Sequence, residues 1–321
     1  MSLNILKENE ELAAQLKGRD FLVLADYTSE EIRFLIDLAI ELKAKQKAGE
    51  LYQPLKGKTL GMIFEKSSTR TRVSFEVGMF QLGGHALFLS RNDLQLGRGE
   101  TIWDTGQVMS RYLDVIMIRT FAHRNVVELA RGATVPVING LTDFAHPCQA
   151  LCDYQTILEH KGRLQGLKVA YVGDGNNMAH SLIMGAAKLG VDFAIATPKG
   201  YELSEEVVQI ARENAALTGS SITVTHDPKE AVSGADVVYT DVWASMGQEA
   251  EQEERKKAFA AYQVNEELVK YAKPDYLFMH CLPAHRGEEV SEGVMDGKHS
   301  IVFDQAENRL HAQKAILVAI V

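Results

Sequence analysis

Short runs of aliphatic and β-branched residues alternate with amphipathic stretches along the whole chain, and this rhythm constrains the fold more than any other feature. A strand that is apolar at every position has to be buried on both faces. The intervening helical stretches supply the cover, so the pattern reads as parallel sheets flanked by helices, an α/β fold. Candidate strands are residues 60–64, 86–89, 115–118 and 135–138, followed by a second series at 169–172, 193–196, 237–240, 277–279 and 301–303. A helical stretch at 32–43 is introduced by Thr28-Ser-Glu-Glu31, the spacing of a capping box. Another, 147–160, falls between the two series and reads as a bridge between two domains.

The 321 residues are enough for two such domains, and 46% hydrophobic residues can fill both cores. We place the first at 1–150 and the second at 151–305, with a terminal helix at 306–321 packing back on the first. A net charge of -9 argues against a general nucleic-acid surface but leaves room for a local basic pocket. Three cysteines, Cys148, Cys152 and Cys281, with no basic-plus-apolar leader, argue against a secreted disulfide scaffold and make a cytoplasmic protein the expectation. The most apolar stretch, 315–321, is far short of the roughly 20 residues that span a bilayer, so no membrane partner is expected. The polar, acidic segment 244–254 reads as a loop that could act as a lid.

The first chemical signal is a strand followed by Ser67-Ser-Thr-Arg-Thr-Arg72 and then an amphipathic segment. Hydroxyls and arginines fall on a strand-to-helix turn, where open backbone N–H groups and the helix dipole favour an anion such as phosphate. Arg70 or Arg72 could add a bidentate contact. The glycine framework of a P-loop is absent. Arg119 ends another strand, and strand C-terminal ends line the crevice of such sheets.

A second signal imitates a dinucleotide fingerprint. Gly173-x-Gly175 follows a strand, but the third glycine position is Met178, which removes the close helix-sheet packing a nicotinamide site needs. Asp241 ends a strand ahead of Ser245-Met-Gly247, so its carboxylate can face the crevice and pair with an ammonium. Cys281 also follows a strand. Three readings stand for it: a covalent nucleophile, a metal ligand with His280 and His285, or a polar group that orients substrate.

Four blocks in order, Ser68-Thr-Arg-Thr-Arg72, His146-Pro-Cys-Gln149, Asp241-Val-Trp-Ala-Ser-Met-Gly247 and His280-Cys-Leu-Pro283, give a chain that resembles the aspartate/ornithine carbamoyltransferase family over essentially its whole length. The His-Pro block appears in the shorter His-Pro-x-Gln form, and the last two blocks resemble the ornithine branch. The resemblance implies an N-terminal carbamoyl phosphate domain, a C-terminal amino-acid domain, a homotrimer and no cofactor or metal.

By the same resemblance Ser68, Thr69, Arg70 and Thr71 hold the phosphate, and Arg119 touches both phosphate and carbonyl oxygen. His146 donates to that oxygen, Gln149 reads the carbamoyl amide, and Arg309, opening the terminal helix, supplies a last contact. Gln95 reaches a neighbouring subunit's site. Asn177 meets the α-carboxylate of ornithine, and Asp241, Ser245 and Met246 meet its amino-acid end. Cys281 and Asp241 grip the side-chain amine, while the Leu282 carbonyl accepts from the carbamoyl amide. Arg119, His146, Cys281 and Asp241 are thus the expected catalytic groups.

Rival readings are weaker. Carbamoyl transfer to putrescine or an acylated ornithine would not need the intact Asp241 and Ser245-Met-Gly247, which suit a free α-amino acid. A zinc deaminase would need Cys-x2-Cys, whereas Cys148 and Cys152 are spaced Cys-x3-Cys with no His-x-Glu before them. A non-catalytic sensor would have lost one of the blocks.

Overall fold

The computed structural model describes residues 3–95, 99–245 and 248–321. The chain divides into two compact units, Met1–Gln155 with Glu307–Val321, and Thr156–Ala306. In the first, strands β1 (Thr59–Phe64), β2 (His85–Ser90), β3 (Val115–Arg119) and β4 (Val137–Leu141) form a parallel sheet in the order β2-β1-β3-β4. Helices α1 (Asn4–Glu8), α2 (Glu10–Leu16), α3 (Ser29–Lys47), α4 (Thr69–Gln81), α5 (Ile102–Met109), α6 (His123–Gly132) and α7 (Pro147–Lys161) accompany it.

The second unit carries β5 (Lys168–Val172), β6 (Asp192–Ala196), β7 (Ile222–Thr225), β8 (Val237–Thr240) and β9 (Leu277–His280) in the order β7-β6-β5-β8-β9, again all parallel. Its helices are α8 (Asn177–Leu189), α9 (Glu205–Thr218), α10 (Pro228–Val232), α11 (Gln252–Phe259) and α12 (Glu292–Met295). The unit boundaries fall inside α7 and inside α13 (Val302–Ile320). No helix among the described residues is long and apolar enough to cross a membrane.

Local chemistry accounts for the element ends. Thr28 caps α3 in a complete capping box: its hydroxyl accepts from the Glu31 amide at 3.2 Å, and the Glu31 carboxylate accepts from the Thr28 amide at 2.8 Å. The expected strand at 135–138 begins at Val137 instead, because Pro136 has no N–H for the ladder. The expected strand at 301–303 is not one. The chain makes only an isolated bridge from Phe278 to Ser300, and α13 starts at Val302 rather than at 306. The expected loop at 244–254 becomes a 3-10 turn at Glu249–Glu251 and an α-helix from Gln252, where Glu253 and Glu254 suit a helix start; residues 246–247 lie outside the described residues.

The Gly-x-Gly motif has a packing explanation. A Cβ on Gly175 would meet the Glu202 carbonyl carbon and the Leu203 nitrogen at 2.5 Å, so the strand-to-helix turn lies directly against a neighbouring backbone segment. In the first unit, α13 presents a buried polar face. Lys43 Nζ donates to Asn308 Oδ1 at 2.8 Å, and Lys314 Nζ donates to Gln46 Oε1 at 2.8 Å and Gln81 Oε1 at 3.0 Å. His311, 1% exposed, lies on the same helix. Burial, with the Lys314 ammonium beside it, pushes its pKa down to about 4.

A base with a depressed folded pKa stabilises the fold when both states are neutral and loses that contribution as pH falls. The window runs from the unfolded histidine value near 6.5 down to about 4. In urea unfolding, the parent is expected to lose up to about 3 kcal/mol relative to His311→Gln across this window. Parallel pH curves for the two proteins would contradict the assignment.

Candidate active site

In both sheets the first strand in sequence is interior, and the order reverses beside it, between β1 and β3 and between β5 and β8. Helices on the two sides of such a reversal leave opposite faces of the sheet. The strand C-terminal ends there are left open to a ligand.

In the first unit, Ser68 caps α4 just beyond β1, its Oγ accepting from the Thr71 amide at 3.2 Å. Thr69 is exposed and Arg70 half-buried at the first helical positions, while Thr71 is buried. Arg72 belongs elsewhere: its guanidinium lies 3.8 Å from the Phe88 ring centroid and pairs with Glu76 at 3.5 Å. Arg119, the last residue of β3, is buried, and its carbonyl accepts from the Glu65 amide at 2.9 Å. Gln95 is exposed.

Arg309 does not open the terminal helix. It is the eighth residue of α13 and is 3% exposed. Its guanidinium donates through Nη1 to Gln149 Oε1 at 2.9 Å, through Nη2 to Thr71 Oγ1 at 3.3 Å, and to Gln313 Oε1 at 2.8 Å. Gln313 in turn donates to Ser74 Oγ at 2.6 Å, and Gln149 donates to Asp153 Oδ1 at 2.8 Å. One buried cation thereby ties α13 to the start of α4 and to α7. Gln313, a partner of Arg309, and Asp153, the partner of Gln149, each stand four residues from a predicted site residue, the helical spacing that could have revealed them.

His146, directly before α7, is buried. Burial, then the charges of Arg309, Arg119, Lys66 and Arg70, hold its imidazole well below the usual histidine range. It is a neutral hydrogen-bonding group at pH 7 in a strongly positive neighbourhood. Cys148 and Cys152 are buried thiols of the same helix; burial pushes Cys148 up to about 12, and Cys148 Sγ donates to the Asn139 carbonyl at 3.5 Å.

In the second unit the chain leaves β8 at Asp241 and β9 at Cys281, and these two meet. Cys281 Sγ donates to Asp241 Oδ1 at 3.0 Å. Asn176, which the sequence reading passed over, donates from Nδ2 to Asp241 Oδ2 at 2.9 Å. Asn177 begins α8 and is half-buried. Ser245 is half-buried, its amide donating to Gln248 Oε1 at 2.9 Å; Met246 lies outside the described residues.

Leu282 has φ +62°, a left-handed conformation that costs a bulky side chain roughly 1–3 kcal/mol. Its amide is held by His280 Nδ1 at 2.8 Å, and His280 Nε2 meets Glu289 Oε1 at 3.0 Å inside the core. Since Nδ1 accepts, the ring proton is on Nε2 and is donated to Glu289. Both ring nitrogens are thus engaged. In this arrangement His280 is held by the fold on both sides, and Cys281 is turned toward Asp241. A further buried pair, Arg255 Nη1 to Asp174 Oδ2 at 2.8 Å with Trp243 O at 2.9 Å, ties α11 to the turns after β5 and β8.

Residues 19–159 match the aspartate/ornithine carbamoyltransferase carbamoyl-P binding domain, and residues 165–320 match the Asp/Orn binding domain of the same family. This chain is a member of the aspartate/ornithine carbamoyltransferase family. It is 67% identical over 306 residues to the ornithine carbamoyltransferase of Anoxybacillus flavithermus, covering 95% of this chain and 98% of that one. It is 62% identical over 309 residues to the anabolic ornithine carbamoyltransferase of Pyrococcus furiosus, covering 96% and 98%. The solved ornithine carbamoyltransferase structure from Pyrococcus furiosus superposes with a TM-score of 0.93 at 62% identity, covering 95% of this chain and 97% of that chain.

Within this carbamoyltransferase, Arg309→Lys tests the buried network. An ammonium cannot reach Gln149, Thr71 and Gln313 at once. The variant is expected to lose about 2–3 kcal/mol in chemical denaturation. An unchanged midpoint would show that the network carries no stability.

Proposed function

We propose that this chain transfers the carbamoyl group of carbamoyl phosphate to the side-chain amine of L-ornithine, giving L-citrulline and phosphate. The observation that carries the acceptor is the Cys281–Asp241 contact of 3.0 Å at the ends of β9 and β8, a thiol and a carboxylate suited to an ammonium group. It occurs in a chain whose relatives at 61–67% identity are ornithine carbamoyltransferases.

The first unit holds the donor. Ser68, Thr69, Arg70 and Thr71 surround the phosphate at the start of α4, with Arg119 and Arg309 adding charge. The neutral His146 and Arg119 donate to the carbonyl oxygen as negative charge develops there. Gln149 Oε1 accepts from Arg309 and has a second lone pair for the carbamoyl amide. The Leu282 carbonyl takes the other amide hydrogen.

The second unit holds the acceptor. Asn177 binds the α-carboxylate, and Asp241, Ser245 and Met246 bind the amino-acid end. An alkyl ammonium with a pKa of about 10.4 is neutral in only about one molecule in a few thousand at pH 7. Cys281 and Asp241 hold the side-chain amine and accept the proton that it loses before attack. The amine nitrogen then attacks the carbonyl carbon, the carbon–oxygen bond to phosphate breaks, and the amine proton leaves with solvent.

The working form is a cytoplasmic homotrimer in which Gln95 serves a neighbouring subunit. The apolar side chains exposed on the edge strand β2 and on α4, among them Phe80 at 76% exposure, support assembly. Cysteines that form no disulfide fit a reducing compartment.

The test is ureido-product formation with carbamoyl phosphate and, in turn, ornithine, putrescine and an Nα-acylated ornithine. Ornithine is expected to give the highest kcat/KM. A higher value for either competitor would overturn the acceptor assignment. His146→Asn is expected to lower kcat about 100-fold with little change in ornithine KM, and an undiminished kcat would remove His146 from the mechanism.

A further inference from the structure

Asn176 is the N-cap of α8, and its side-chain amide can take only one orientation. Met178 and Ala179 present backbone N–H groups at 3.0 and 3.2 Å, which are donors only, so the atom facing them is Oδ1. The Tyr171 hydroxyl donates to the same oxygen at 3.3 Å. The amide therefore cannot flip, and Nδ2 is committed to Asp241 Oδ2 at 2.9 Å.

Asp241 receives two more donors, both on Oδ1: the Val242 amide at 2.8 Å and Cys281 Sγ at 3.0 Å. A carboxylate has about four acceptor positions, two on each oxygen. Three are filled by the protein, and the fourth, on Oδ2, has its direction fixed by Asn176. A helix cap is thereby turned into a clamp on a carboxylate.

We infer that Asn176 is a positioning residue that fixes Asp241 so that its one remaining acceptor direction meets an ammonium group of ornithine; this rests on the function proposed above. The fingerprint-like turn after β5 thus serves the acceptor through two adjacent asparagines, Asn177 toward the ligand and Asn176 toward the group that holds it.

Two substitutions separate the clamp from the cap. Serine and aspartate both cap helices well, so Asn176→Ser and Asn176→Asp keep the start of α8, and their melting temperatures should stay within a few degrees of the parent. Asn176→Ser removes the donor to Asp241 and is expected to raise ornithine KM about tenfold, with carbamoyl phosphate KM unchanged. Asn176→Asp sets a second carboxylate against Asp241, in a neighbourhood that also holds Tyr171, Cys281 and the Asp174–Arg255 pair. One of two such carboxylates keeps a proton, and the protonated acid can donate as the amide did. Its deficit relative to the parent should therefore be about 100-fold at pH 8 and shrink as pH falls, whereas the Asn176→Ser deficit should not depend on pH.

A readout independent of turnover is alkylation of Cys281 by iodoacetamide, since Cys148 and Cys152 are buried. The added negative charge should slow it about tenfold at pH 8 in Asn176→Asp. If the parent makes no citrulline, the proposed function fails while the alkylation rates still decide whether Asn176 governs the Asp241–Cys281 pair. Parental ornithine KM and parental alkylation rates in both variants, with or without a drop in melting temperature, would overturn the inference and leave Asn176 a helix cap.

Discussion

Each parallel sheet begins with an interior strand and builds outward in both directions, and everything chemical in this molecule depends on that reversal of order. Helices diverge to opposite faces at the reversal, so backbone at the adjacent strand ends has no helix packed across it. Polar groups can gather there without forfeiting hydrogen bonds. Ser68 and Arg119 use the reversal in one unit; Asn176 and Asp241 use it in the other.

The two strand-end clusters carry opposite electrostatic character. In the first unit burial, and then the charges of Arg309, Arg119, Lys66 and Arg70, depress His146, and the buried Arg309 is satisfied by Gln149, Thr71 and Gln313. A buried cation with that many neutral partners leaves net positive charge for an anion. In the second unit Asp241 is wrapped by neutral donors, Asn176, Val242 and Cys281, which leaves net negative charge for a cation. An anionic donor and a cationic acceptor are thus sorted by the sign of the buried charge that each unit surrounds with neutral groups. The left-handed Leu282, held through His280 by Glu289, shows that the loop after β9 is fixed from within the core rather than by a ligand.

Much of this was legible in the sequence because strand burial imposes continuous apolar runs, and the four blocks fall at strand ends. The edge strand β7 escaped because Ile222-Thr-Val-Thr225 is short and only half-buried, so its residues carry no continuous run. The run at 301–303 misled because Val302 and Phe303 begin a helix whose apolar face continues to Ile320. Asn176 was hidden inside a motif that imitates nucleotide binding, although an asparagine ahead of an apolar helix is itself a capping signal. Glu289, which meets the His280 ring, and Gln305, whose Oε1 accepts from the His280 amide at 3.0 Å, could not be read at all, since these contacts are tertiary, at sequence separations of 9 and 25.

Bond formation at the ornithine side chain is the central claim, and it can be observed atom by atom. With carbamoyl phosphate labelled with ¹³C at the carbonyl and ornithine labelled with ¹⁵N at the side-chain amine, NMR of the product reports which nitrogen acquires the carbamoyl carbon. A one-bond carbon–nitrogen coupling at the side-chain nitrogen, appearing in step with phosphate release, is the predicted result. Phosphate release without that coupling, or a carbamoyl carbon attached at the unlabelled α-nitrogen, would contradict it.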